Sequence, residues 1–273
     1  MVAHRSAAAA AFGIGLALAA APASATLLAY QADLIPANPA VNSQISGTAT
    51  FILNTAANTL AVTVNASGFD PNTIHPQHIH GLFENAGCEN VAPVGSPIAG
   101  LCLDGTTARD SHLASVATND IDKDGFLEVI EATPTTGPEI MQLADPALGL
   151  AGLPNSFPKS DAAGNLSFSA TYDLNTTDLF YDVDNNIKHE PGDLLPLDKR
   201  VYEIHGLFVN NDNPPVRNDL PEILGPTHAY VMELPAAAGE LRLVSVPEPG
   251  TLGLLATALV GFAGLRRRRP KAL

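Results

Sequence analysis

The pentapeptide Ile-His-Gly-Leu-Phe occurs twice, at residues 79–83 and 204–208, a repeat that asks two distant stretches for the same backbone. Its first copy closes the run His75-Pro-Gln-His78-Ile-His80, three histidines in six residues, directly after a stretch that reads as a β-hairpin. Successive side chains of a strand alternate sides, so His78 and His80 share one face while Ile79 takes the other. That is the geometry of a metal chelate. His205, in the second copy, is the natural third ligand, placed opposite the pair if the two strands are neighbours. Two readings stay open: a Cu2+ or Zn2+ site on His78, His80 and His205, or half-buried histidines that hydrogen-bond to backbone carbonyls.

Both ends of the chain read as addresses rather than as fold. Arg5, an apolar run over residues 7–21 and Ala23-Ser-Ala25 fit a secretory signal peptide spanning residues 1–25. At the other end, Val246-Pro-Glu-Pro249 precedes the mostly apolar residues 250–265 and then Arg266 to Arg269. This segment, 247–273, resembles a PEP-CTERM sorting signal. The resemblance implies recognition and processing by an exosortase. An apolar helix of this length rises about 24 Å at ~1.5 Å per residue, short of a ~30 Å hydrocarbon core, so a transient or processed span of the inner membrane is expected. The arginines should stay cytoplasmic and the body of the protein outside, at the cell surface or beyond it.

Between these segments, residues 26–249 carry 8 basic against 28 acidic side chains, a formal net charge of −20. Such a surface excludes nucleic acid as a partner and favours cations; the extracellular polysaccharide matrix is a candidate setting. Trp is absent, and frequent Thr, Asn, Gly and Pro favour short strands and turns. Cys88 and Cys102, fourteen positions apart, are the only cysteines. In an oxidising compartment they are expected to pair, stabilising the fold by up to roughly 3 kcal/mol in the chain-entropy account.

Residues 27–34 read as a first strand, ended by Ile35-Pro-Ala-Asn-Pro39. Residues 47–53 and 60–66 then alternate around Asn54-Thr-Ala-Ala-Asn58 as a hairpin, and with the histidine strand they predict a four-stranded meander over 27–83. A strand ending in a Pro-containing bend, a Gly-initiated hairpin and a closing His-Ile-His-Gly resemble a CHRD (chordin-type) domain. Residues 165–174, 201–209 and 229–234, followed by Pro235-Ala-Ala-Ala-Gly-Glu-Leu241, resemble that family's closing strands. The fold expected is all-β, an antiparallel β-sandwich of immunoglobulin-like or Cu/Zn superoxide dismutase-like Greek-key type. It would span 26–246, interrupted by an insertion at 84–159.

Within that insertion lies Asp120-Ile-Asp122-Lys-Asp124-Gly125-Phe126-Leu-Glu128-Val-Ile-Glu131, which matches the twelve-residue calcium loop at every ligand position. Asp120, Asp122 and Asp124 supply hard oxygens, Gly125 the turn, Phe126 a backbone carbonyl, Glu128 the ninth position and Glu131 the bidentate closer. Pro134 is expected to stop an exiting helix after one turn, and only residues 109–118 could form an entering one, so a lone loop is expected rather than a paired sensor. The acidic run at 173–198 lacks such spacing and reads as a solvated loop; His112, His189 and His228 read as isolated, with His228 the best candidate for a fourth ligand.

No nucleophile elbow, phosphate-binding loop, dinucleotide fingerprint or zincin helix is present. Two functions remain. The preferred one is a non-catalytic, calcium-stabilised surface or matrix protein. The alternative is a copper enzyme similar to Cu/Zn superoxide dismutase, for which the bridging histidine, separate zinc set and active-site arginine cannot be placed in the sequence.

Overall fold

The computed structural model describes residues 27–209 and 229–244. The expected signal peptide, the sorting segment and His228 lie outside the described residues. Among the described residues no helix is long and apolar enough to cross a membrane.

Alternation builds the first three strands. In β1 (Leu27–Pro36) Tyr30, Ala32 and Leu34 are buried; β2 (Ser46–Asn54) buries Ala49, Phe51 and Leu53, and β3 (Thr59–Ser67) buries Leu60, Val62 and Val64. Each set shares one parity, so a single apolar face results. The β2–β3 turn is closed by Asn54, whose Oδ1 accepts the N–H groups of Ala56 and Ala57.

The predicted meander stops at three strands. Gly68, at φ 89°, turns the chain away, and Phe69, Asn72 and His75 donate their backbone N–H groups to the carbonyls of Gly164, Asp161 and Pro158. The histidine strand β4 (Gln77–His80) therefore crosses to other neighbours, and the place beside β3 is taken by β10 (Leu166–Asp173) in an unbroken eight-pair register. Between β4 and β10 run β5 (Leu82–Phe83), β6 (Cys88–Val91), β7 (Cys102–Gly105), β8 (Ala108–Arg109), α1 (Val116–Asn119), α2 (Val129–Thr136) and β9 (Glu139–Gln142). After β10 come β11 (Tyr181–Asp182), β12 (Ile187–Lys188), β13 (Val201–Val209), β14 (Ala229–Glu240) and β15 (Arg242–Val244).

The main sheet is antiparallel and ordered β10-β3-β2-β1-β14-β13-β4-β9, with β15 also on β1. It curls because β1 serves two partners: Ala29–Gln31 pair with β15, whereas Ile35 and Pro36 pair with Ala238 and Ala237 of β14. The inner faces of the two halves meet across the core, where Phe51 of β2 packs edge-on to Tyr202 of β13 at 5.4 Å between centroids. The all-β sandwich expectation holds. The stretch read as an insertion also contributes to the sheet, since its β9 forms the edge beside β4.

Cys88 and Cys102 are bonded, with Cα atoms 5.7 Å apart, and tie together the β6–β7 hairpin. Non-reducing peptide maps of the exported protein should recover the two as one linked peptide, and reduction should lower unfolding stability by up to roughly 3 kcal/mol. Free thiols at both positions in material isolated outside the cytoplasm would contradict the bond.

Candidate functional site

Strand pairing joins the two strands that carry the repeat, but offset, so that Ile79 and His80 face Tyr202 and Val201 while Ile204 faces Gln77, and His205 does not stand opposite the histidine pair, the position expected for it. β4 and β13 are antiparallel neighbours with His78 opposite Glu203 and His80 opposite Val201, and the His205 N–H continues the ladder to Pro76 O at 2.8 Å. On its other edge β13 shifts register against β14 on both sides of His205, and Gly206 follows in the left-handed region at φ 99°. A Cβ there would lie 1.9 Å from Tyr230 Oη, so only glycine serves. A register irregularity of this kind re-aims a side chain. Here it accompanies a His205 ring lying 4.9 Å from that of His78 and 5.9 Å from that of His80, centroid to centroid.

All three rings are buried, and a ring nitrogen of each lies within 4.8 Å of the others. What makes them candidates for a metal is how the opposite nitrogens are used. His80 Nδ1 is 3.0 Å from Gly137 O, His205 Nδ1 is 2.7 Å from Glu233 O, and His78 Nδ1 is 2.8 Å from Glu139 Oε1. Carbonyls can only accept, so they fix the Nδ1–H tautomer of His80 and His205 and turn the Nε2 lone pairs inward. Both Nε2 atoms are buried without a hydrogen-bond partner.

Glu203 completes the arrangement. Its Oε2, also buried and without a partner, is 3.6 Å from His80 Nε2 and 3.6 Å from His205 Nε2. That is too long for a hydrogen bond, but two ligands at ~2.0–2.2 Å from one tetrahedral ion are about 3.4 Å apart. Burial, and then the charge of nearby His78, push the His80 and His205 imidazoles down to about 4, so both are neutral as metal ligation requires. Burial also acts on His78, but the Glu139 carboxylate outweighs it and raises that imidazole, while burial raises Glu203. Glu139 is itself held, its Oε2 accepting from Gln142 Nε2 at 2.7 Å and from the Val183 N–H at 3.1 Å. A cavity of about 290 Å³, walled by Leu153, Pro154, Phe157 and Met232, opens onto His78 and His205.

The remaining histidines divide. His75 is satisfied at both ring nitrogens, by His205 O and Thr73 Oγ1, and is structural. His112 is exposed beside Glu240. His189, read as isolated, is instead buried between Asp104 and Asp193, and Asp182 of the acidic run is buried and bonded to Asn185. That run is not a solvated loop, because residues 179–197 also bury Leu179, Phe180, Leu194 and Leu197 in the core.

In the loop from Asp120 to Glu131, the carboxylates fold the backbone around themselves. Asp120 accepts the N–H groups of Lys123, Asp124 and Gly125, Asp122 that of Asp124, and Asp124 that of Phe126. Gly125 holds φ 94° at the turn. Glu131, in the first turn of α2, reaches back to the N–H groups of Ile121 at 2.6 Å and Glu128 at 3.3 Å. Carboxylate oxygens of Asp120, Asp122 and Glu131 lie within 4.8 Å of one another, as do those of Asp122, Asp124 and Glu128. Burial, the hydrogen bond with Glu131 and the charge of Asp124 push the Glu128 carboxyl up to about 9. The crowd of negative charge calls for a proton or a cation.

Two expectations about the flanks are corrected. α2 runs eight residues, through Pro134 to a Gly137 cap, so the proline does not end it after one turn; the entering helix is only Val116–Asn119. The loop is single, and the backbone of its eighth residue is satisfied by a side chain. Asn38, buried just past β1, accepts the Leu127 N–H at 2.7 Å and donates to Leu127 O at 3.0 Å and Pro235 O at 2.8 Å.

Comparison with known families agrees with both recognised segments. Residues 30–129 match the CHRD domain, and residues 245–269 match the PEP-CTERM protein-sorting motif. No curated protein matches the chain. The sorting motif implies export and processing by an exosortase, a membrane-associated sorting system.

Proposed function

We propose that this CHRD-domain protein, an exosortase-sorted extracellular β-domain, holds one transition-metal ion on His78, His80, His205 and Glu203 and one Ca2+ in the loop from Asp120 to Glu131. Support for the first ion rests on one observation above all: two buried Nε2 atoms and a buried carboxylate oxygen converge with no other partner. Leaving such groups dry and unpaired costs roughly 1–3 kcal/mol each, which a shared cation would recover. Imidazole and carboxylate without thiolate suit Zn2+ or Cu2+. Elemental analysis of the protein isolated from outside the cytoplasm and dialysed should find at least one equivalent of zinc or copper. Metal-free protein that takes up neither Cu2+ nor Zn2+ would overturn the assignment.

The calcium reading rests on the complete ligand spacing and on carboxylates already turned toward one another. Extracellular calcium fills even a ~0.1–1 mM site. Calorimetry should give one binding event that Glu131→Ala abolishes, because the bidentate closer is lost; an unchanged isotherm would sink the assignment. At 100 times Kd, calcium should stabilise the chain by about 2.7 kcal/mol.

In this reading the metals are structural, and the setting is the cell surface or polysaccharide matrix. The second reading, a copper enzyme, is favoured by the cavity that opens onto His78 and His205. Against it stands Arg200, whose guanidinium is buried and donates to the carbonyls of Leu82, Asp193 and Leu194, far from the role of guiding a substrate anion. Superoxide turnover by the copper-loaded chain would decide for the enzyme.

A further inference from the structure

We propose that Asp104, His189 and Asp193 form a second divalent transition-metal site, separate from the centre on β4 and β13, that clasps the disulfide-closed hairpin to the segment after β12. Three elements build it. Asp104 lies on β7, two residues after Cys102, so the disulfide fixes the strand that carries it. His189 directly follows β12; its N–H donates to Phe180 O at 3.1 Å, and its ring lies flat against Phe83, 5.9 Å between centroids and 17° from parallel. Asp193 closes the next turn, its Oδ2 accepting the Glu190 N–H at 2.7 Å.

The His189 side chain is 0 % exposed and neither ring nitrogen has a hydrogen-bond partner. A wholly buried imidazole in that condition is unusual, since buried polar groups are nearly always paired. Its Nδ1 nevertheless points between two carboxylates, 3.5 Å from Asp104 Oδ1 and 3.6 Å from Asp193 Oδ2. These separations exceed the 2.7–3.2 Å of an N–H···O bond and approach the ~3.4 Å between two ligands of one tetrahedral ion. Glu203 stands at a similar distance, 3.6 Å, from each of its two histidines.

Charge agrees with a dication. The two carboxylates carry a formal −2 and a metal-ligating imidazole adds no charge; Arg200, which donates to the backbone carbonyl of Asp193 and whose charge also interacts with that carboxylate, sets one positive charge against the two. The cysteine sulfurs beside the site are bonded to each other and supply no thiolate. One nitrogen and two oxygens therefore select a borderline first-row ion such as Zn2+. The carboxylate side chains are 15 % and 13 % exposed, which leaves solvent a path to a remaining coordination position.

The test uses the full chain, stripped with a chelator and titrated with Zn2+, and with Co2+ for its visible absorption. Stoichiometry is compared among wild type, His189→Ala, Asp193→Asn and His205→Ala. Asp193→Asn keeps an acceptor for the Glu190 N–H, so it reports on the site even where His189→Ala fails to fold. The expected result is one equivalent lost, or bound more than 100-fold more weakly, in His189→Ala and Asp193→Asn, with the equivalent that depends on His205 retained. The loss in His189→Ala and Asp193→Asn is read by itself, whatever His205→Ala does, so the two centres are judged independently. Wild-type stoichiometry and affinity in Asp193→Asn, or in a folded His189→Ala, would overturn the clasp.

Discussion

Replacing His205 with alanine should remove the transition-metal ion of the β4–β13 centre, weakening affinity there by well over 100-fold, whereas Glu139→Gln should weaken it by only about 10–100-fold. The difference follows from position. His205 presents an inward Nε2 with its tautomer set by Glu233 O, so its loss deletes a ligand. Glu139 touches His78 at Nδ1, and a glutamine there can still accept that hydrogen while losing the charge that raises ligand basicity. Competition against a chromophoric chelator at fixed pH reads both effects. Far-UV circular dichroism and a cooperative melt establish that each variant is folded. A folded His205→Ala that keeps one tight equivalent dependent on His78 would end the assignment. Small and equal losses in the two variants would identify the cluster as a hydrogen-bonded core instead.

Much of this centre was legible because strand parity is a local rule. The shared face of His78 and His80 followed from period-two geometry, and the adjacency of β4 and β13 was suggested by the repeated pentapeptide, whereas the offset that sets His205 beside Pro76 rather than opposite the pair was not. Glu203 was legible by the same rule, since it stands two residues before His205 on one strand, but a lone carboxylate in a strand marks a metal site less distinctly than histidine does. Glu139 carried no such signal. It lies on β9, whose four residues are all buried, so no alternation marks a face, and its contact with His78 depends on a pairing fifty-nine positions away. The meander failed at its fourth strand for a related reason: Pro71 and Pro76 lack the N–H groups that pairing with β3 would need, and the segment between finds partners at 158–161 instead. His189 is the extreme case, because Asp104 is eighty-five positions away and only tertiary folding brings it within reach.

The loop from Asp120 to Glu131, proposed to bind calcium, shows the same division between local spacing and remote support, and it yields the second large effect. Its proposed ligands can be read from twelve consecutive residues, yet the backbone of Leu127 depends on Asn38, eighty-nine positions earlier. Asn38→Ala should lower unfolding stability by about 3 kcal/mol or more, because it strands the Leu127 N–H, Leu127 O and Pro235 O in a buried setting, at ~1–3 kcal/mol for each group that water cannot reach. For a chain of this size that is roughly a 6–12 °C fall in melting temperature. Asn54→Ala is the matched control: its side chain also caps two N–H groups, but in an exposed hairpin turn where water replaces it, so a change within about 1 kcal/mol is expected. Melts with and without Ca2+ separate the two roles of Asn38. If it holds the loop in its binding shape, the calcium-induced rise in melting temperature shrinks along with the baseline stability. A full calcium shift on a lowered baseline would confine Asn38 to joining β1 and β14, and a melting temperature no lower than that of Asn54→Ala would show that the tie contributes nothing.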